Sequence, residues 1–409
     1  MPIVESTARR RLPPGYGVIW TTVAIDLIGF GIVLPILPLY AKDFGARAGM
    51  ATAIVASFSL AQFLAAPLWG RLSDRVGRKP VLILALCGTA AGSLITGMAG
   101  SLPVLFIGRI VDGASGTSYG VAQAAVTDIA QPSERPRLLG MLGAAFGIGF
   151  VAGPVIGGLA SIGSRELPFY LAAALAGANA LVALVRLPET RRATAVVRER
   201  SRGWVPPTRV FREPRGQVVL RLTVLALVGM LAFSGFESTF ALLMDRRFDV
   251  STGVIYSLFA AVGLFLVFVQ ARLVGVAHAR ADESTILRVA LACDAVGLVV
   301  LALDGGWATL VPALVVLTVG QGLLGPTLSS ATAGQVDPQR RGEALGLQQS
   351  AGALGRVGGP LIAGALFQGI GVGAPYVLAA ALAALALGLV PAVAPVPSVG
   401  EGASRQRSA

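Results

Sequence analysis

Long apolar stretches alternate with short polar breaks from one end of the chain to the other. Twelve stretches run to about 20 residues, enough for a helix to cross a hydrocarbon core of roughly 30 Å. They lie at 16–41, 50–70, 80–99, 102–124, 138–161, 167–187, 218–243, 252–274, 285–304, 307–330, 343–367 and 373–394. At that depth no water can pair with backbone N–H and C=O groups, so each stretch must satisfy its own backbone as a helix. The pattern predicts an all-α polytopic membrane protein with twelve transmembrane helices. A polar stretch rich in Pro, Arg and Glu divides six from six. The expected organisation is an N-terminal arm (1–15), a six-helix half (16–187), a central loop (188–217), a second six-helix half (218–394) and a tail (395–409).

The halves repeat each other. Gly-Phe-Val-Ala-Gly-Pro-Val-Ile-Gly-Gly at 149–158 aligns with Gly-Arg-Val-Gly-Gly-Pro-Leu-Ile-Ala-Gly at 355–364. The same register pairs Gly140 with Gly346, Gly116 with Gly322, Pro132 with Pro338 and Arg135 with Arg341. Two pseudo-symmetric halves about an axis along the membrane normal place a substrate site between them near the midplane.

Composition agrees: 55% of the 409 residues are hydrophobic, only 13% are charged, and 52 are glycine. Small residues let helix backbones approach where lipid offers no hydrophobic drive for association. The net charge of +12 is distributed by topology. Arg9, Arg10 and Arg11, the 71–79 cluster, Arg135 and Arg137, the 188–217 segment, and Arg340 and Arg341 all fall on one side. The positive-inside rule makes that side cytoplasmic, with both termini and the central loop. The basic excess therefore meets anionic lipid headgroups, and nucleic acid is not expected as a partner.

The N-terminus does not read as a cleavable signal, because its first apolar run is long and contains Asp26. Cys87 and Cys293 fall within helices and read as small packing residues. His278 is the sole histidine. No metal site, cofactor or nucleophile–base set is expected, so the chain does not read as an enzyme. The only lysines, Lys42 and Lys79, sit in no Gly-Lys-[Ser/Thr] loop, which excludes ATP as this chain's own energy source.

Three motifs carry more. Residues 70–80, Gly-Arg-Leu-Ser-Asp-Arg-Val-Gly-Arg-Lys-Pro, read as a charged loop between two spans. Gly70 would allow close approach, Gly77 a positive φ, and Asp74 would accept from Arg75, Arg78, Lys79 or a helix N-terminus. Around Gln270–Ala281 the second half keeps no such pattern. In the fourth span Arg109 and Asp112 lie three residues apart, on one helix face, where they can pair. In the fifth, Gly143, Gly147, Gly149, Gly153, Pro154, Gly157 and Gly158 predict a tightly packed face with a bend at Pro154.

These motifs, in this order and on these helices, together with Asp26-Leu-Ile-Gly-Phe-Gly-Ile-Val-Leu-Pro-Ile-Leu-Pro38, resemble the major facilitator superfamily. The branch is that of the twelve-helix drug–proton antiporters, which includes the tetracycline exporters. The resemblance spans essentially the whole chain. It implies that the 70–80 loop latches the halves on the cytoplasmic side in the outward-open state. It implies that Arg109 serves proton coupling and that the fifth-helix motif marks an antiporter. The motif's usual glutamine is Asp112 here, which either shares the proton site or neutralises Arg109.

Six ionisable residues lie within spans: Asp26, Arg109, Asp112, Glu237, Asp294 and Arg356. Intramembrane charges are costly and face the bundle interior or a cavity. Asp26 with Arg109 is the first expected coupling pair, and Glu237 the next. Asp294 is expected in a structural salt bridge, with Arg356 as partner to it or to Glu237. Gln62, Tyr119, Gln123, Phe146, Phe236, Phe240 and Gln349 are candidate cavity residues by helix placement. The expected function is proton-driven export of small hydrophobic or cationic molecules by a monomer in the plasma membrane. Protons, substrate and lipid are its expected partners. The alternatives are a metabolite facilitator or symporter, and a transporter-like sensor without flux.

Overall fold

The computed structural model describes residues 12–131, 134–190, 215–303, 305–337 and 340–393. Most of the arm, most of the central loop and the tail lie outside the described residues, as do Pro132 and Pro338 of the repeat. Fifteen α-helices follow in order among the described residues. The first eight are α1 (Tyr16–Val33), α2 (Leu37–Asp43), α3 (Ala48–Val76), α4 (Arg78–Gly97), α5 (Leu102–Ser115), α6 (Ser118–Ile129), α7 (Arg135–Ser161) and α8 (Leu167–Arg186). The second set is α9 (Gly216–Leu243), α10 (Thr252–Phe268), α11 (Val274–Arg280), α12 (Glu283–Ala302), α13 (Trp307–Gly334), α14 (Arg341–Gly369) and α15 (Ala374–Leu387). π-helical turns extend α9 (Met244–Phe248) and join α10 to α11 (Val269–Leu273). Nine of the helical segments are long and apolar enough to cross a membrane. Each of the twelve apolar stretches coincides with a helix or a pair of helices.

Two stretches divide. The first breaks after α1 because Pro35 and Pro38 have no N–H to continue the ladder to Gly31 and Leu34. The fourth breaks at Gly116 and Thr117, between α5 and α6.

Residues 70–80 correct the sequence reading. Residues through Val76 belong to α3, Arg78 already opens α4, and Gly77 alone is non-helical at φ 112°. The stretch is therefore a one-residue elbow between two helices. Any Cβ at Gly77 would also strike the Glu189 carboxyl, 2.8 Å from its carbon. Gly70, by contrast, faces open space rather than a close neighbour.

Pairing is pseudo-symmetric. In the first half α1 packs on α7, and in the second α9 packs on α14. The halves meet through α3 against α14 and α7 against α10. One buried apolar cluster joins residues of both halves, from Ile32, Ile36 and Ile54 to Phe240, Tyr256 and Phe367. It lies at the end that carries α2 and the 244–251 connection. Towards the 70–80 elbow each half keeps its own core, one around Ile19, Leu86 and Leu142, the other around Leu222, Leu287 and Leu328. The two halves thus share an apolar core at one end only.

Candidate functional site

Asp26 projects from α1 into a cavity lined by residues of α3, α4, α5, α6, α7 and α8, together with Arg356 of α14. The Ser118 hydroxyl, at the first residue of α6, donates to the Asp26 carboxylate. That contact exists because the chain breaks before Ser118. Side chains of α3 hold the break: Gln62 donates to the Gly116 carbonyl, and Trp69 Nε1 to the Ala114 carbonyl at 2.5 Å. Gln62, Tyr119 and Phe146 line this cavity. Gln123, one turn further along α6, is not on this lining. Gln349 is exposed, about two turns before Arg356 on the same side of α14, and its neighbour Gln348 is buried.

Arg109 and Asp112 pair as their spacing predicts, Nη1 to Oδ2 at 2.6 Å, and are 3% and 6% exposed. The guanidinium lies over the Phe58 ring of α3, 4.5 Å from its centroid. Removing one partner of such a pair would leave a buried, uncompensated charge, at a cost of about 3–5 kcal/mol. The Arg109 Nε remains without a partner.

Glu237 on α9 borders two cavities. One is narrow and walled by Phe150, Phe233, Phe236, Phe240 and Phe259, with Gln321 as its amide. The other lies between the halves and is bordered by Arg109, Arg356, Ser59 and Ser234 as well. The Glu237 Oε1 is buried and accepts no hydrogen bond.

Asp294 corrects the sequence reading. Its partner is the Gln321 amide, Nε2 to Oδ2 at 2.8 Å, and neither Arg356 nor any other cation pairs with it among the described residues. Arg356 faces Glu237's side of the molecule instead.

At the elbow, Arg78 ties three helices together. It donates to Asp74 at 2.8 Å, to Ser73 at 2.7 Å and to Asp128 of α6 at 2.9 Å. The Glu189 carboxylate, just past α8, accepts from the Arg78 and Lys79 backbone N–H groups at 2.9 and 3.2 Å. A carboxylate there satisfies orphan donors of the α4 N-terminus and its dipole. These bonds stay within the first half and the start of the central loop, and none of them reaches the second half.

The fifth-helix motif divides its work. A Cβ at Gly153 would come 2.5 Å from Gly31 Cα of α1, and one at Gly149 would come 2.6 Å from the Leu27 carbonyl oxygen. One turn further on, Gly157 and Gly158 face the ring of Tyr256, on α10 of the other half. Helix α7 runs unbroken through Pro154. That proline cannot bond the Phe150 carbonyl, and Gly263 of α10 packs against this freed oxygen.

Further cross-half contacts gather at the same end. The Tyr256 hydroxyl donates to the Ile32 carbonyl at 3.0 Å, and Gly49 N–H donates to Gln368 Oε1 at 3.1 Å. Lys42 pairs with Asp245. Sequence reasoning missed Tyr256 and Ser118. The prolines after Ile32 were a signal for the first, since a helix break frees carbonyls that need a donor. Nothing in the sequence pointed to the second.

Residues 19–355 and 283–409 match the Major Facilitator Superfamily. The chain is 33% identical over 355 residues to the class C tetracycline resistance protein of Escherichia coli, covering 86% of this chain and 89% of that protein. It is 26% identical to the quinolone resistance protein NorA of Staphylococcus aureus, covering 88% and 92%. The crystal structure of the human organic anion transporter MFSD10 superposes with a TM-score of 0.72 at 24% identity, covering 93% of this chain and all of that one. Matching helices, repeat and relatives agree: this chain belongs to the major facilitator superfamily of membrane transporters.

Proposed function

We propose that the protein is a proton-coupled secondary exporter of small hydrophobic or cationic drugs, working by alternating access in the plasma membrane with both termini cytoplasmic. The single observation that carries this reading is the placement of acids. Asp26 and Glu237 stand on equivalent helices of the two halves, each in a cavity beside the gap between them. The drug-resistance names of the bacterial relatives support the substrate class. With the 70–80 elbow in the cytoplasm, the shared core and the Tyr256 contacts close the outer end, so this form is open inward.

In this reading a proton entering from outside neutralises Asp26 or Glu237 and displaces a cationic substrate, and its loss to the cytoplasm restores the site. The Arg109–Asp112 pair keeps the arginine neutralised within the bundle beside Asp26. Exchange of one proton for one monovalent cation moves no net charge, so the pH difference alone drives it, sustaining about a tenfold substrate gradient per pH unit, or about 1.4 kcal/mol. In inside-out vesicles, an imposed proton gradient should drive tetracycline accumulation by the wild type, and Asp26→Asn should abolish it while abundance holds. Unchanged accumulation by Asp26→Asn would remove Asp26 from the coupling, and no gradient-driven accumulation by the wild type would remove the reading.

A further inference from the structure

Basic residues are scarce at the α2 end of the molecule. The connections there carry five: Lys42, Arg47, Arg165, Arg246 and Arg247. Two are accounted for, since Arg165 pairs with Asp43 and Arg247 donates to the Leu301 and Leu303 carbonyls at 2.9 and 3.0 Å. The other three line one cavity of ≈ 550 Å³ between the halves, with Lys42 and Arg47 from the first and Arg246 from the second. Asp245 is the one acid on that wall, and it pairs with Lys42. Arg47 and Arg246 have no ion-pair partner among the described residues, and both are exposed.

Other groups on the wall donate as well. Arg47 is the cap residue of α3 and supplies no side-chain acceptor to its first turn, and Ala48 of that turn lines the cavity. The positive end of a 29-residue helix thus opens here, where an anion is favoured. Gln368 of α14 accepts from the Gly49 N–H at 3.1 Å through Oε1, which leaves Nε2 as the group it can offer a ligand. Every free polar group named on this wall is a donor.

The cavity is built from both halves, so its shape exists only while this end is closed. Arg47 and Arg246 are then held across one cavity, where like charges repel. A guanidinium fork matches phosphate oxygens in pairs, and one oxyanion can engage two forks at once. When the halves part, the forks separate and the site is divided. A ligand that binds one form better shifts the population towards it.

We propose that this cavity binds a phosphate-type oxyanion, free or as the headgroup of an anionic lipid, between Arg47 and Arg246, and that the bound anion favours the form closed at the α2 end. None of its residues borders the Asp26 or Glu237 cavities, so neither the site nor its test depends on proton coupling. In the proposed orientation the site faces outside, and an anion there holds the transporter open inward.

The test is double electron–electron resonance on the full chain in phosphatidylcholine nanodiscs at neutral pH. Spin labels sit at Ser164→Cys and Ser251→Cys, with Cys87 and Cys293 replaced by alanine. Inorganic phosphate replaces chloride in the low millimolar range at constant ionic strength. It should move the populations at least about fivefold towards the shorter distance, the lower end of ordinary coupling between sites. A parallel thermal melt reads binding itself, and its midpoint should rise with phosphate. Arg47→Gln and Arg246→Gln together should abolish both responses, and each alone should weaken them, because the anion draws on both halves. Replacing part of the phosphatidylcholine by phosphatidylglycerol, without phosphate, tests the lipid source. Responses to phosphate in phosphatidylcholine assign the site to a free anion, and responses to phosphatidylglycerol alone assign it to a lipid headgroup. No response of the wild type to either, a shift towards the longer distance, or responses that persist in the double variant overturn the proposal. Both arginines are exposed and without ion-pair partners, so their substitution leaves the fold intact, and the unliganded distances of each variant report it.

Discussion

Tyr256→Phe isolates one contact that exists only while the halves are closed at the α2 end. The ring keeps its seat on Gly157 and Gly158, and only the hydroxyl is lost. Tyr256 is 2% exposed, so the Ile32 carbonyl it leaves behind has no water to turn to. Stranding a buried acceptor costs about 1–3 kcal/mol, against roughly 1 kcal/mol for a hydrogen bond whose partners can be resolvated. When the halves part at this end that carbonyl meets water, so nearly all of the cost falls on the closed form. A penalty of about 1–2 kcal/mol moves the equilibrium some 5- to 30-fold towards the form open at that end. Spin labels at Ser164→Cys and Ser251→Cys, both exposed at that end and on opposite halves, would read the distance distribution by double electron–electron resonance. Cys87 and Cys293, both free, are first replaced by alanine. The longer-distance population should grow in Tyr256→Phe. An unchanged distribution, or one shifted to shorter distances, would refute the assignment of Tyr256 as a clasp between the halves.

Gly153→Ala should destabilise the protein by about 1–3 kcal/mol, since its Cβ meets α1 backbone that cannot yield as a side chain would. Gly143→Ala on the same helix, whose Cβ would lie 3.8 Å from the Tyr119 hydroxyl, should stay within about 0.5 kcal/mol in the same thermal melt. Asp282 caps α12, accepting from the Thr285 hydroxyl at 2.7 Å and its N–H at 3.1 Å, and these bonds hold its carboxyl below the ordinary aspartate value. Its contribution is therefore full above the unfolded value of about 3.9 and is lost as pH falls through the lower folded value. Asp282→Ala should lower the melting midpoint at neutral pH, and the difference from wild type should close in acid. A difference that persists undiminished there would show that the carboxylate is not its source.

The helices were legible because the bilayer leaves an apolar backbone one option, and the Arg109–Asp112 pair because a three-residue spacing on a helix brings two side chains together. The repeated Gly-Pro segment falls in α7 and α14, and it was the structure that showed these two packing alike, on α1 and α9. Legibility ended where a side chain's partner lay on another helix. Asp294 looked like half of an ion pair, yet found an amide on α13. The dense charge at 70–80 suggested a loop where the helix in fact continues to Val76.

By itself, then, the sequence determined that this is a many-helix membrane protein in two related halves, with acids and arginines buried in its spans. Hydropathy, periodicity and local spacing are properties of consecutive residues, and a strong solvent constraint turns them directly into helices. Only the tertiary structure decided that Arg356 faces Glu237 rather than Asp294, that Ser118 reaches Asp26 through a broken helix, and that Tyr256 joins the halves at one end. Those outcomes depend on how each helix is rotated and where it touches its neighbours. That rotation is set by close packing over the whole bundle, which no single segment of the chain encodes.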